Sequence, residues 1–367
     1  MSYQVLARKW RPQNFQQMVG QTHVLRALLT ALDEQRLHHA YLFTGTRGVG
    51  KTTIARIFAK CLNCETGISS TPCGECKSCL EIASGRHVDL IEVDAASRTK
   101  VEDTRELLDN VQYAPTRGRF KIYLIDEVHM LSGHSFNALL KTLEEPPPHI
   151  KFLFATTDPQ KLPITILSRC LQFNLKRMPV DMIVGHLAHI LQQEQITFAE
   201  AALKVLAKAA DGSMRDALSL TDQAIVTGGG VIRLESVNDM LGLLPSEYLL
   251  QLLQAVVAED APQVLAIVAQ MAQLTTDFSA ATDSLIALLH QIAVLQLVPQ
   301  ADEPVLTAFA EQISAADLQL FYQLALHGRR DLPLNPDPRS GFEMLLLRML
   351  AFQLADAKPA QAVKKNT

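Results

Sequence analysis

The sequence predicts an α/β fold built on a parallel sheet, followed by purely helical parts. Three observations carry this. Short apolar runs of strand type alternate with helical patterns as far as about residue 178, the rhythm of strand–helix–strand units whose ligands sit at the carboxyl ends of the strands. One glycine-rich stretch, Gly45-Thr46-Arg47-Gly48-Val49-Gly50-Lys51-Thr52, follows such a strand and opens such a helix, as a P-loop does. After Pro179 no strand pattern follows, and from about Pro245 the chain reads as leucine- and alanine-rich helix.

The 367 residues fit two or three domains, and an apolar fraction of 48% is ample for their cores. A formal net charge of −4 excludes a nucleic-acid binder that is basic over its whole surface, so any DNA contact must come from local patches or partner chains. Met1-Ser2-Tyr3-Gln4 leads into charged Arg8-Lys9 without the apolar core of a signal peptide. The most apolar long run, Phe278 to Val298, contains Asp283, His290 and several Gln, and reads as a buried helix rather than a membrane span. Most of the six cysteines crowd into one segment, which in a chain without a signal argues for metal rather than disulfides. The expectation is a soluble cytoplasmic protein with no membrane partner.

Residues 1–38 form an arm, Tyr3 to Pro12, then Phe15, Met18-Val19-Gly20-Gln21 and a helix from about His23 to Gln35. Trp10, the sole tryptophan, is read as packing the arm onto the body; the arm could also wall a base, with Val19-Gly20-Gln21 as the best candidates. Ala40-Tyr41-Leu42-Phe43 is the strand before the P-loop, and the helix after it, from Thr53 on, buries Ile54, Ile57, Phe58 and Cys61 at i, i+3, i+4, i+7. Strand, glycine turn and helix N-terminus together aim backbone N–H groups at one anion. Gly48 and Gly50 let the backbone approach phosphate, Lys51 can reach the β- and γ-phosphates, and the Thr52 hydroxyl can ligate Mg²⁺.

Cys73-x₂-Cys76-x₂-Cys79 places three thiolates on one knuckle, and a fourth ligand closes a tetrahedral structural zinc site with no open position. Cys61 lies on the buried helix stripe and goes to the core, so Cys64 is taken as the fourth. Val88 to Val93 is the next strand, and a helix is expected from Lys100 to Val111. The strand from Phe120 ends in Asp126-Glu127, the carboxylate pair of an ATP site: Asp126 to hold Mg²⁺ through water, Glu127 to polarise the water attacking the γ-phosphate. Gly133 to Glu144 is a helix stopped by Pro146-Pro147-Pro148. The strand Lys151 to Thr157 has a threonine tip that either positions water and γ-phosphate or caps the next turn. Ser168-Arg169-Cys170 then leads into a strand at Leu171 to Leu175.

Val180–Gln193, Ala199–Ala210 and Met214–Val226 read as three helices, and Gly228-Gly229-Gly230 as a loop. Ser213-Met214-Arg215-Asp216 has capping-box form, which puts Arg215 in a first turn where the dipole disfavours a cation unless an anionic ligand reverses the penalty. Helices at Tyr248–Val257, Pro262–Leu274, Phe278–Val298, Ala315–Leu326 and Phe342–Phe352 carry no catalytic constellation and suit packing or oligomerisation; Ala355 to Thr367 is a polar tail.

Together these motifs resemble one family, the ATPase subunits (gamma/tau) of the bacterial sliding-clamp loader of DNA polymerase III. The resemblance covers essentially the whole chain and rests on Leu6-Ala7-Arg8-Lys9-Trp10-Arg11-Pro12, the P-loop, the four-cysteine insertion, Asp126-Glu127-Val128-His129-Met130-Leu131, Leu143-Glu144-Glu145-Pro146, Ala155-Thr156-Thr157-Asp158-Pro159 and Ser168-Arg169-Cys170. It implies an AAA+ fold: a five-stranded parallel sheet with helices on both faces over residues 1–178, with the zinc insertion at about 62–82, an all-α lid at 179–243, an all-α collar at 244–354 and a flexible tail at 355–367. It implies Thr157 as first sensor, Arg169 as an arginine finger for a neighbouring subunit's ATP, Arg215 as second sensor, and Ser97, Arg98, Thr99 and Lys100 on a segment tracking template phosphate, where an ordinary helix start is the competing reading. The expected nucleotide-binding set is Gly45 to Thr53 with Ala7, Arg11 and Val19. ATP, Mg²⁺ and Zn²⁺ are the implied cofactors. The implied partners are further copies of the chain, delta- and delta-prime-type subunits in a five-membered ring, the sliding clamp and primer–template DNA. Tau-type chains extend well past residue 367, so a gamma-like or truncated form is expected. Two other readings compete: a loader subunit that binds nucleotide without hydrolysing it, which would usually have lost Lys51 or Glu127, and a related AAA+ DNA helicase, which gives no reason for the zinc insertion.

Overall fold

The computed structural model describes residues 4–96, 111, 113–242, 245–274, 277–298 and 304–352. Its central sheet has five parallel strands, β1 (Ala40–Thr44), β2 (Leu90–Asp94), β3 (Lys121–Asp126), β4 (Ile150–Thr156) and β5 (Leu171–Asn174), in the order β2-β3-β4-β1-β5. Thr44 pairs with Thr156, Ile125 with Phe154 and Asp94 with Asp126. The carboxyl ends of β1, β3 and β4 therefore finish level, with β4 between the strand that feeds the P-loop and the strand that ends in the two carboxylates.

The two-residue period of a strand sends alternate side chains to opposite faces. Tyr41, Phe43, Ile122, Leu124 and Leu153 pack on one face against Leu28 and Leu32 of helix Thr22–Asp33 and Ile54, Ile57 and Phe58 of helix Lys51–Asn63. Leu42, Tyr123, Ile125, Phe152 and Phe154 pack on the other against Phe136, Leu139 and Leu143 of helix Gly133–Glu144. Both faces are thus covered by helices, as a wholly parallel sheet requires.

Helices Val180–Gln193, Glu200–Ala209 and Met214–Thr227 follow. The expectation that no strand follows Pro179 is corrected: β6 (Thr197–Phe198) pairs in parallel with β7 (Val231–Ile232). Two residues are too short to display alternation, so only their β-branched and aromatic character hints at the pairing. Two one-turn helices, Leu6–Lys9 and Ile164–Leu167, and three longer ones also lacked a distinct signal: Lys77–Ser84 inside the cysteine insertion, Leu234–Leu241 and Pro304–Gln312.

The chain divides into two compact units, residues 1–234 and 235–367. The second consists, among its described residues, of helices Leu234–Leu241 in part, Ser246–Val257, Ala261–Leu274, Phe278–Leu297, Pro304–Gln312, Ala315–Asp331 and Pro338–Ala351. Helix Phe278–Leu297 is long and apolar enough to cross a bilayer. Within its unit it supplies Phe278, Ala281, Leu285, Leu289 and Ile292 to the core, and its Asp283 accepts from Arg329 Nε at 2.6 Å. The expected DNA-contact residues Ser97 to Lys100, the helix from Lys100 and the tail at 355–367 lie outside the described residues.

Candidate nucleotide site and cysteine cluster

The P-loop leaves β1 by a path open to glycine alone. Gly45 has φ +139°, and a Cβ there would meet the Leu175 carbonyl oxygen at 2.5 Å. The loop closes on Lys51, whose ammonium is buried and donates to the carbonyls of Gly45 at 2.8 Å and Thr46 at 3.0 Å. An ammonium has three donors, so these contacts leave one for a phosphate oxygen. Burial lowers the pKa of Lys51, while Glu127 and Asp126 pull it back up.

One residue further on, Thr52 Oγ1 donates to Asp126 Oδ2 at 2.7 Å. A hydroxyl and a carboxylate converging at the foot of a phosphate loop are the hard oxygen donors that Mg²⁺ takes, with water and substrate phosphates filling its other positions. Asp126 Oδ1 accepts from the backbone N–H of Glu127 at 3.0 Å. Glu127 has φ +47°, a left-handed conformation that costs a non-glycine residue about 1–3 kcal/mol and clusters at functional sites. Its Oε2 accepts from the Thr157 N–H at 3.1 Å and the Thr157 hydroxyl at 2.8 Å, and lies 3.4 Å from His129 Nδ1. His129 Nδ1 is also 2.8 Å from Thr156 Oγ1. The tip of β4 thus fixes one carboxylate oxygen of Glu127 and leaves the other outside these contacts.

Lys51, Thr52, Asp126 and Glu127 open onto a cleft of about 720 Å³. Its second wall comes from helix Met214–Thr227, whose N-terminus abuts the P-loop: Arg215 N–H donates to Gly48 O at 3.4 Å, and Arg215 lines the cleft. The Ser213 hydroxyl caps this helix by accepting from Asp216 N–H at 3.2 Å. The arm supplies the third wall, with Ala7, Arg11 and Val19. Arg11 Nε donates to Thr53 Oγ1 at 3.2 Å, and burial, aided by the nearby Arg56, pushes its pKa down to about 10. The neighbouring Arg56 is instead paired with Glu92, at 2.5 and 2.9 Å.

The sulfurs of Cys64, Cys73, Cys76 and Cys79 all lie within 4.8 Å of one another. Cys64 and Cys73 are 3.5 Å apart, and Cys73 and Cys79 are 4.0 Å apart. Four sulfurs at about 2.3 Å from a tetrahedral zinc stand about 3.8 Å from each other, so the spacing fits that ion. Backbone N–H groups of Cys73, Cys76 and Cys79 donate to the sulfurs of Cys64, Cys73 and Cys76, each at 3.4 Å. Cys61 stays apart in the core, where burial pushes its thiol up to about 12. The cluster is tied to the segment that leads into β3, because Arg119 donates to the Cys64 carbonyl and Asn63 exchanges bonds with the Phe120 backbone at 2.8 and 2.9 Å.

Comparison with known proteins bears on this geometry. Residues 20–179 match the family described as DNA polymerase III, delta subunit; residues 182–230 match the DNA polymerase III clamp loader subunit, ATPase lid domain; residues 232–365 match DNA polymerase III subunits gamma and tau domain III. The DNA polymerase III subunit gamma of Buchnera aphidicola (subsp. Acyrthosiphon pisum) is 46% identical over 359 residues, covering 96% of this chain and 99% of the relative. The chain belongs to the DNA polymerase III gamma/tau family. The subunit tau of Escherichia coli is 60% identical over 374 residues, covering 100% of this chain but 58% of the relative. The chain thus spans little more than half the length of its tau relatives, 56% in a second case. Among solved structures, the RuvB Holliday junction branch migration motor of Thermotoga maritima overlaps 68% of this chain and 79% of its own at 20% identity and a TM-score of 0.48.

One residue that the gamma/tau resemblance puts into ATP chemistry does not line this cleft. Arg169 donates to the Thr165 carbonyl and to Glu144 Oε1, both at 2.8 Å, with its side chain a third exposed. Sequence reasoning missed other cleft residues of this gamma/tau chain: Met178, His186, Met214 and Leu218. Met178, His186 and Leu218 come from segments remote from the P-loop and carry no motif, while Met214 lies beside Arg215 in the capping-box string and was read there only as part of a helix start. His129 was visible only as a letter within a family string, and its contact with Glu127 and Thr156 had no sequence signal.

Proposed function

We propose that this chain is an ATP-driven motor subunit of a bacterial sliding-clamp loader, acting in the cytoplasm on clamp and primed DNA. The observation that carries the reading is the meeting of the P-loop with the two carboxylates, through Thr52 and Asp126, at the mouth of a cleft closed by Arg215. The family of the chain supports the rest.

In this reading the adenine base lies between arm and lid, near Ala7 and Val19, with Met178 and Leu218 as apolar walls. The phosphates lie on the backbone of Gly45 to Thr53. Lys51 neutralises the β- and γ-phosphates. Thr52 and Asp126 are the residues that would hold Mg²⁺, which when bound neutralises charge on those oxygens. Glu127, fixed by Thr157 and His129, orients the water; the water's oxygen bonds to the γ-phosphorus as the bond to the ADP oxygen breaks. Arg215 steadies the γ-phosphate from the lid. Arg169, outside its own cleft, suits a neighbouring subunit's ATP.

The further assignments extend that proposal. Residues 1–178, 179–243 and 244–354 are read as ATPase domain, lid and collar, a reading supported by three successive family matches along the chain, the second of them to a lid domain. The collar would hold copies of the chain with delta- and delta-prime-type subunits. Cys64, Cys73, Cys76 and Cys79 are read as structural zinc ligands, and Ser97 to Lys100 as DNA-contact residues. Lys51→Ala is expected to lose at least about 2 kcal/mol of ATP binding, since charge-assisted bonds to phosphate are the strong ones. Equilibrium titration with a fluorescent ATP analogue checks this, and parental affinity in the variant would remove the P-loop from the proposal.

A further inference from the structure

We propose that Glu194 is a positioning residue: it latches the N-terminal arm to the lid, so that nucleotide held beside Arg11 also holds the lid that carries Arg215. The inference rests on the nucleotide reading of the cleft. Four residues of the arm, Leu6, Lys9, Trp10 and Arg11, grip three separate elements. Leu6 N–H donates to Asp222 Oδ2 on helix Met214–Thr227 at 2.7 Å. Lys9 Nζ and Trp10 Nε1 donate to the two oxygens of Glu194, each at 2.7 Å. Arg11 Nε donates to Thr53, directly after the P-loop.

Glu194 is the C-cap of helix Val180–Gln193. A carboxylate there faces the negative end of the helix dipole, which disfavours it. Two donors from the arm offset that cost, and the side chain is only 18% exposed, with the indole of Trp10 edge-on to His189 at 6.2 Å. The arm is short and internally bonded: Trp10 N–H reaches Leu6 O at 2.8 Å and Arg11 N–H reaches Arg8 O at 3.4 Å. It therefore transmits displacement instead of absorbing it. Arg11 turns into the cleft with its described hydrogen bond going to a hydroxyl, not a carboxylate, and so keeps guanidinium donors for an anion. An anion that draws in Arg11 draws in Lys9 and Trp10, and through Glu194 the lid.

The test uses the full chain and four variants: Glu194→Ala, the near-isosteric Glu194→Gln, Lys9→Ala and Lys51→Ala. ATP affinity is measured by titration with a fluorescent analogue, and hydrogen exchange is followed over residues 214–227 with and without ATP. In the parent, ATP should slow exchange there. Glu194→Ala should weaken ATP binding about fivefold or more and abolish that ATP-dependent slowing, because an acceptor of two charge-assisted bonds is lost. Glu194→Gln and Lys9→Ala should give smaller losses of the same kind, since each keeps the Trp10 bond. A merely structural role would speed exchange equally with and without ATP and leave the difference intact. Parental affinity together with a parental exchange difference in Glu194→Ala overturns the latch while Lys51→Ala still fails to bind. ATP binding by Lys51→Ala at parental affinity overturns the nucleotide reading, and the latch with it.

Discussion

Gly48 of the P-loop lies directly against the first turn of helix Met214–Thr227, and this makes one substitution unusually informative. Its φ is +77°, and a Cβ built on it lies 1.8 Å from Ser213 Oγ, 3.0 Å from Ser213 Cβ and 3.3 Å from Arg215 Cβ. Gly48→Ala therefore imposes two costs. A left-handed conformation on a residue with a Cβ costs about 1–2 kcal/mol. The clash forces Ser213 to turn away or the lid helix to retreat. If Ser213 turns, its cap bond to Asp216 N–H is lost, for about 1 kcal/mol. The sum of about 2–3 kcal/mol should lower the melting temperature by roughly 5–10 °C in a unit of this size. If the lid retreats instead, Arg215 goes with it and ATP affinity falls. Thermal unfolding and ATP titration on the same preparations follow both. A second substitution decides the cause. Ser213→Gly removes both Ser213 atoms and leaves the looser contact with Arg215 Cβ, and glycine at an N-cap costs only a few tenths of a kcal/mol. Gly48→Ala/Ser213→Gly should recover about 1 kcal/mol of the loss, leaving the backbone strain. Purely additive losses, or a Gly48→Ala chain with parental stability and affinity, would refute the reasoning.

Two further predictions follow from the cysteine cluster and the latch. The purified chain should carry one equivalent of zinc that survives dialysis, and Cys73→Ser should release it and cost at least about 2 kcal/mol of stability, as metal loss does; metal analysis with thermal unfolding checks both, and substoichiometric zinc that fails to return on refolding contradicts a structural role. The bonds from Lys9, with that from Trp10, hold the Glu194 carboxyl below the usual carboxylate range. A group whose pKa is depressed on folding contributes stability above its unfolded value, about 4.3, and loses that contribution as pH falls through the folded value. The difference in melting temperature between the parent and Glu194→Gln should hold steady from pH 8 to about pH 5 and shrink below about pH 4.

The sequence made legible those features whose signal is local. Gly45 to Thr52 announces itself by spacing, because a phosphate loop needs its glycines, lysine and hydroxyl within one turn of chain. The cysteine knuckle does so because a tetrahedral ion needs its ligands close, and Cys61 was separable because a helical period marked it as core. The inner strands β1, β3 and β4 were visible as apolar runs, since the middle of a parallel sheet buries both faces, whereas the edge strands β2 and β5 mix apolar with polar residues and are partly exposed. What stayed hidden depends on pairing across the chain. β6 and β7 are too short to carry a pattern. The contact of Gly48 with Ser213, the grip of Lys9 and Trp10 on Glu194, and the fixing of Glu127 by Thr157 and His129 each join distant residues that read as ordinary surface or tip positions. The place of Arg215 was half visible: its awkward position in a first turn hinted at an anion, but only the fold brings it to Gly48.

The central claim is that ATP in one subunit is hydrolysed with help from the next. The most direct measurement is steady-state ATP hydrolysis by the reconstituted loader, with clamp and primed DNA, comparing parental chains with Arg169→Ala. In this structure Arg169 rests on Glu144 and Thr165, outside its own cleft. The isolated parental chain should be a slow ATPase and the assembled complex strongly stimulated. Arg169→Ala should bind ATP normally yet lose about 10³-fold or more of the stimulated rate, as arginine fingers supplied in trans are worth. Undiminished turnover in the assembled variant would contradict the claim.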